Sequence, residues 1–265
     1  MRGPAFIAAA AALLMPCPAS AQLLASVTPA RIHEPGRLTG DAEAVIRVEK
    51  MIARMGGAQI WSRAKTLYLK YDVHLAVDPG PRSGTTTQWI NLERPGDRVI
   101  YELTDGNGTP TTISRGYSAT SGWRIRDGQR TATDKDALAA RGSYWSRDFY
   151  TTFHRFAAAD PNLRLSFAGP NNVGVVEATG TPVAEWVIDK DGNLLAWKST
   201  SINAVSFSYV IGPLQRYGAV SFGGWNASAD GISRYSVIEF GLSAEPMPPS
   251  VYTDPATTPV KPKLM

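Results

Sequence analysis

Between residues 67 and 75 the side chains change character at every step: Leu67, Leu69, Tyr71, Val73 and Leu75 alternate with Tyr68, Lys70, Asp72 and His74. A two-residue period is that of a strand with one buried and one wetter face, and it excludes a helix there. The pattern returns at 85–92, 98–104, 111–117 and 123–126, then at 163–167, 173–178, 184–188 and 194–198. It closes with Val205, Phe207, Tyr209 and Ile211, and with Ile238, Phe240 and Leu242. Between the runs stand turn formers: Pro79-Gly80-Pro81, Pro95-Gly96, Asp105-Gly106-Asn107-Gly108 and Asp189-Lys190-Asp191-Gly192. The last is a hairpin signal that places glycine where φ must be positive. About ten or eleven strands in an antiparallel meander are expected.

Two segments carry the other period. In 41–55, Val45, Val48, Ile52 and Met55 fall on one helical face, and Gly56-Gly57 ends the run. In 144–156 the chain packs Tyr144, Trp145, Phe149, Tyr150, Phe153 and Phe156 into thirteen residues. Trp145, Phe149, Phe153 and Phe156 share a helical face, Thr133 and Asp136 resemble an opening cap, and Asp160-Pro161 closes the segment. Such a helix either packs on the sheet as core or covers a cavity and touches its ligand.

Residues 1–21 read as a secretory signal: Met1-Arg2, an uncharged apolar run at 5–15, and Ala19-Ser20-Ala21 ahead of the cleavage point, leaving Gln22 first. The run is shorter than the roughly 20 residues a bilayer span needs. Cys17, the single cysteine, lies in this segment, and Pro16 before it speaks against lipidation. Cleavage therefore leaves no thiol, and no disulfide, to the 244 residues that remain of 265. It also lowers the formal net charge from +4 to +3 by removing Arg2. With no dense basic block, nucleic acid is not an expected partner. Residues 22–40 form a polar lead-in and 41–245 the folded domain. The Pro-rich tail, 246–265, is expected to be a partly ordered strap followed by disorder.

Catalytic motifs are missing: no G-x-S-x-G, H-E-x-x-H, P-loop or G-x-G-x-x-G occurs. The histidines, His33, His74 and His154, do not cluster in sequence. Asp72 and His74 share a strand face, but one that also carries Tyr68 and Lys70 and reads as solvated. Asp189 and Asp191 sit in a turn that favours Asp for its own reasons. No catalytic residue, metal site or cofactor is expected. A secreted hydrolase or carbohydrate-binding module is the alternative, and it would require exposed tryptophans beside Asp72, His74, Asp189 or Asp191.

The order of motifs resembles that of a known family. A helix ends in Gly56-Gly57 with Trp61 beyond, the 67–75 strand follows, and Gly122-Trp123 precedes the aromatic insertion. Then come Trp186, Asp189 and Gly192 of a hairpin, Tyr209 and Gly212, Tyr235-Ser236-Val237, and Tyr252-Thr253-Asp254-Pro255. Over about residues 41–255 this resembles the periplasmic lipoprotein-carrier superfamily, the outer-membrane lipoprotein-sorting (LolA/LolB-like) proteins. The resemblance implies a mainly β (α+β) fold: a curved, incompletely closed antiparallel half-barrel with an N-terminal helix and an inserted aromatic helical lid. It implies a non-catalytic periplasmic carrier or sensor that holds a lipid or the acyl chains of a lipoprotein, with envelope membrane components as further partners. The ligand-contacting residues would be Leu67, Leu69, Tyr71, Val73 and Leu75 from the strand, and Tyr144, Trp145, Phe149, Phe153 and Phe156 from the lid. The chain is longer than a typical carrier, and the family's lid-locking arginine has four candidates: Arg124, Arg126, Arg147 and Arg155.

Overall fold

The computed structural model describes residues 37–78, 80–200 and 206–265. The segment expected to be a signal, with Cys17, most of the lead-in with His33, and also Pro79 and Val205 lie outside the described residues. Two helices open the fold, α1 (Ala42–Arg54) and α2 (Ala58–Arg63). Six strands follow: β1 (Thr66–Leu75), β2 (Arg82–Asn91), β3 (Gly96–Asp105), β4 (Pro110–Ser118), β5 (Gly122–Arg126) and β6 (Gln129–Ala132). After α3 (Lys135–Arg147) and α4 (Phe149–Ala157) the chain makes β7 (Leu163–Phe167), β8 (Asn172–Glu177), β9 (Pro182–Ile188), β10 (Leu194–Thr200) and β11 (Ser206–Ile211). The remaining elements are β12 (Leu214–Tyr217), β13 (Val220–Gly223), β14 (Trp225–Ser228), β15 (Ser233–Ser243) and α5 (Ser250–Thr253). Four of these fifteen strands have only four residues, too few for alternation to show, which is why the sequence yields fewer.

Thirteen strands form one curved antiparallel sheet in the order β6-β5-β4-β3-β2-β1-β15-β14-β11-β10-β9-β8-β7, and it does not close into a barrel. Its margins, β6 and β7, are consecutive strands, so α3 and α4 are the connection between the two free edges. The β7 edge is shielded by the lead-in, where Leu165 donates to Thr39 O at 2.9 Å and Asp41 donates back to Leu165 O at 2.9 Å. A β-bulge in the β1–β15 pairing leaves Ile238 out of register, so it is exposed while Phe240 and Leu242 are buried. The expected alternation holds for the latter two only.

The inner face of the sheet carries the main core. Val45, Val48, Ile52 and Met55 of the α1 region are all buried, and Arg47 pins α1 to β9 by donating to Ile188 O at 2.8 Å. The Gly192 turn has φ +84 as the hairpin requires, and a Cβ there would meet Lys50 at 2.6 Å. Phe149, Phe153 and Phe156 are buried in this core, with Phe153 edge-on to Trp61 at 4.6 Å and Phe149 edge-on to Trp186 at 5.4 Å. The hairpin β12–β13 adds Phe222, stacked on Phe240 at 4.8 Å.

Four expectations are corrected here. The aromatic segment is not one helix: Asp148 takes an extended conformation (φ −62°, ψ 149°) and its carboxylate accepts from Tyr150 N at 3.0 Å, ending α3 and capping α4. The opening cap of α3 is Asp134, which accepts from Ala137 N at 2.8 Å, while Thr133 stays with the sheet. The tail is ordered to Met265, whose amide donates to Leu242 O at 2.9 Å, and it includes the turn α5. It lies on the outer face, where Tyr68 and Trp89 pack with Met247, Val251 and Tyr252. The Tyr68 end of the face expected to be solvated is thus covered.

Register explains where the strap runs. Tyr68, Trp89, Arg98, Gly116 and Trp123 are successive cross-strand partners from β1 to β5, with Gly241 next to Tyr68 on β15. The row is aromatic in the middle and has glycine where the strap presses closest. A Cβ on Gly116 would sit 2.5 Å from Tyr252 O, and one on Gly241 2.5 Å from Leu264. Trp89 donates to Val260 O at 3.0 Å, Trp123 donates to Tyr252 O at 3.1 Å, and Lys261 pairs with Glu239. Arg98 lies 4.2 Å over the Trp123 ring, and burial lowers its guanidinium to about 10.

Candidate binding chamber under the lid

The break at Asp148 divides the inserted segment into two parts with different roles. Every side chain of α4 except Arg155 is buried. In α3 none is. Thr151 reaches back to Trp145 O across the break, and Arg147 donates to Thr200 O at 2.7 Å. Trp145 donates to Asn91 O at 2.7 Å, and the Tyr144 ring meets Phe207 edge-on at 5.0 Å. These contacts hold α3 across the inner face as a cover rather than as core.

Beneath α3 lies a cavity of about 140 Å³. Arg141, Tyr144 and Trp145 of α3, with Asp148 and Tyr150, form its roof. Its floor comes from Tyr71, Thr86, Gln88, Ile90, Asp97, Tyr101, Arg115 and Tyr117, and its far wall from Trp197, Tyr209, Asn226 and Tyr235. The β2–β3 and β3–β4 registers place Asp97 beside Tyr117 and Val99 beside Arg115, with Tyr101 two residues on, so all face inward together. The inner face is therefore divided. Around β1, β15, β9 and β10 it is apolar and filled by α4; over β2–β4 it is rich in tyrosine and charge and covered by α3.

Burial sets the protonation of this chamber. It pushes the Asp148 carboxyl up to about 7, against the lowering effect of the Tyr150 amide. It also raises Asp97, although Arg115 and the Gln88 amide, which donates to Asp97 Oδ1 at 2.9 Å, pull the other way. Burial likewise raises the Tyr71, Tyr144, Tyr150 and Tyr209 phenols, so these remain neutral donors and acceptors. The Tyr71 and Tyr150 hydroxyls bond to each other at 2.8 Å. Arg115 is held more firmly charged, chiefly by Tyr101, and lies 5.7 Å from that ring's centre; its buried Nε has no partner.

Of the residues expected to contact a ligand, Tyr71, Tyr144 and Trp145 line the chamber. Leu67, Leu69, Phe149, Phe153 and Phe156 are packed into the core beside it, and Val73 is buried in β1. Leu75 lines a separate surface hollow with His74 and Arg82. Of the four candidate locking arginines, Arg155 pairs with Asp160 at 2.7 Å and Arg147 caps Thr200, while Arg124 and Arg126 are exposed. The arginines that line the chamber are Arg115 on β4 and Arg141 on α3. Arg115 gives little signal in the sequence because 111–117 carries polar residues on both faces, although strand parity counted from Tyr117 places it on the same side; Arg141 lies in a helix without a marked apolar face.

His154 is a core histidine whose Nδ1 lies 2.8 Å from Trp61 O, and burial lowers its pKa. His74 is exposed, 3.5 Å from Asp72. Asp189 serves its own turn, accepting from the amides of Asp191 and Asn193 at 2.9 and 2.8 Å. Every described tryptophan is buried or half-buried, so no exposed indole stands beside these carboxylates as a sugar platform. Among the described residues no group of three His, Cys, Asp or Glu side chains converges, and no helix is long and apolar enough to cross a membrane.

No protein-family model matches the chain, and no curated protein matches it. The solved structures similar to it include the following two. A DUF1329 family protein from Desulfovibrio piger is 6% identical with a TM-score of 0.44, over 82% of this chain and 99% of that one. A domain named as an outer membrane lipoprotein-sorting protein, from Vibrio parahaemolyticus, is 10% identical with a TM-score of 0.41, over 78% of this chain and 95% of that one.

Proposed function

We propose that this protein is an exported, non-catalytic binder or carrier that holds a lipid or an acylated molecule between the curved sheet and α3. The observation that carries the reading is the chamber itself: a cavity closed on one side by a sheet and on the other by α3, a helix in the connection between the sheet's two margins, none of whose residues is more than partly buried. A helix so lightly anchored is the element that a ligand displaces at least cost. At about 140 Å³ the chamber is near the roughly 150 Å³ that admits a benzene-sized group, so an acyl chain enters by lifting α3. Trp145, Ile90 and Trp197 would meet the chain, and the buried phenylalanines of α4 supply the wall behind them.

Native mass spectrometry of the protein purified from its own envelope, followed by organic extraction, tests this. A bound lipid of defined mass is expected, together with a blue shift of a hydrophobic dye on the emptied protein. Absence of both overturns the reading.

A further inference from the structure

We infer that the chamber selects ligands with an anionic head, a carboxylate or phosphate attached to an acyl or alkyl chain, and that Arg115 and Arg141 are the residues that recognise it. This rests on the carrier reading above and names the class of its ligand. Both guanidiniums line the cavity, one from the floor on β4 and one from the roof on α3, so an oxyanion between them would be gripped by sheet and lid at once. Neither makes an ion pair among the described residues. Each instead lies 5.7 Å from the centre of a tyrosine ring, Arg115 at Tyr101 and Arg141 at Tyr117. The Arg115 Nε is buried without a partner, a donor left unmet in a site where unmet donors are costly.

Two carboxylates share the chamber, and Asp97 feels the charge of both arginines, yet neither carboxylate forms an ion pair with them among the described residues. Asp97 accepts from Gln88 at 2.9 Å, and Asp148 is occupied in capping α4. The two guanidiniums thus present forked donors to the chamber from opposite sides, and the carboxylates turn toward other groups. A largely enclosed chamber with forked guanidinium donors and tyrosine hydroxyls suits an oxyanion better than a cationic head.

The test compares dodecyl phosphate with dodecanol, the same chain with and without the charge, by displacement of a fluorescent probe from the wild-type protein, with inorganic phosphate alone as a third arm. Dodecyl phosphate is expected to bind about tenfold tighter or more than dodecanol, as a charge-assisted hydrogen bond implies. Arg115→Gln and Arg141→Gln, each checked for a native melting curve, should narrow that ratio to within about threefold. Equal affinities in the wild type overturn the inference and leave the carrier reading standing. Binding of neither chain overturns both. Inorganic phosphate binding as tightly as dodecyl phosphate keeps the anion site and removes the lipid. The wild-type comparison decides the matter even if one variant fails to fold.

Discussion

The hydroxyls of Tyr71 and Tyr150 are hydrogen-bonded at 2.8 Å, joining the floor strand of the chamber to the first turn of the buried helix. Both phenols are buried, so each is the other's chief means of satisfying its polar group. Removing one hydroxyl strands the other. Tyr71→Phe and Tyr150→Phe should each lower stability by about 1–2 kcal/mol in urea unfolding. The double variant should cost clearly less than the two single losses together, because it leaves no orphan. Additive losses would show that the pair is not coupled.

The two inserted helices should respond oppositely to mutation. Phe149→Asp and Phe153→Asp place a carboxylate among Trp61, Trp186 and their neighbours, and each should cost several kcal/mol and unfold the protein. Trp145→Phe in α3 should cost only about 1 kcal/mol, the bond to Asn91 O, while changing dye binding. Circular dichroism melts with a parallel dye titration check both. A folded Phe153→Asp protein would mean that α4 is not core.

Stability should fall as pH rises from about 4 to about 7. Across that window native Asp148, with its pKa raised to about 7, retains a proton that the unfolded chain, near 3.8, has released. The native state therefore binds more protons than the unfolded one, and raising the pH favours unfolding. A shift of roughly 3 units corresponds to at most ~4 kcal/mol. Asn caps helices as well as Asp, so Asp148→Asn should stay folded and remove this downward slope, leaving Asp97, which acts in the same direction, and His154, whose lowered pKa acts in the opposite one. Urea midpoints measured at several pH values decide it; a profile that rises over this range would be the wrong sign.

On the outer face, the two glycines of the cross-strand row should differ. Gly116→Ala drives a methyl into the Tyr252 carbonyl and the Trp123 ring, which cannot retreat without lifting the strap. Gly241→Ala meets only the end of the Leu264 side chain, which can rotate away. The first should cost on the order of 2 kcal/mol and red-shift tryptophan emission as Trp123 and Trp89 become wetter; the second should be within about 1 kcal/mol of wild type. Equal effects would mean that the strap does not depend on close approach at β4.

Much of this architecture could be read from the residues themselves, and the failures have physical causes. The alternation at 67–75 marked the inner face of β1 because its odd positions are uniformly apolar. Arg115 and Tyr117 escaped because β4 is polar on both sides, so parity without a partner strand does not say which side is inside. The Asp148 break was hidden because Trp145, Phe149 and Phe153 keep helical spacing across it, although Asp between two helical runs is itself a cap signal. Prolines in the tail exclude ladders but not packing. The sign that something must cover the outer face was Tyr68, a large ring on the side of β1 read as solvated, which the register sets beside Trp89 of β2.

The margins of the sheet are successive strands in the chain, and this bears on how opening is distributed through the molecule. Lifting α3 breaks side-chain contacts and no strand pairing, because the connection between β6 and β7 contributes nothing to the ladder. Entry to the chamber is thus uncoupled from the cooperative unit that holds the sheet together. In amide exchange with deuterium, α3 should label in seconds to minutes while the central amides of β1, β2 and β15 wait for global unfolding. On the carrier reading proposed above, the contents of the chamber would then turn over many times in the life of a single folded state.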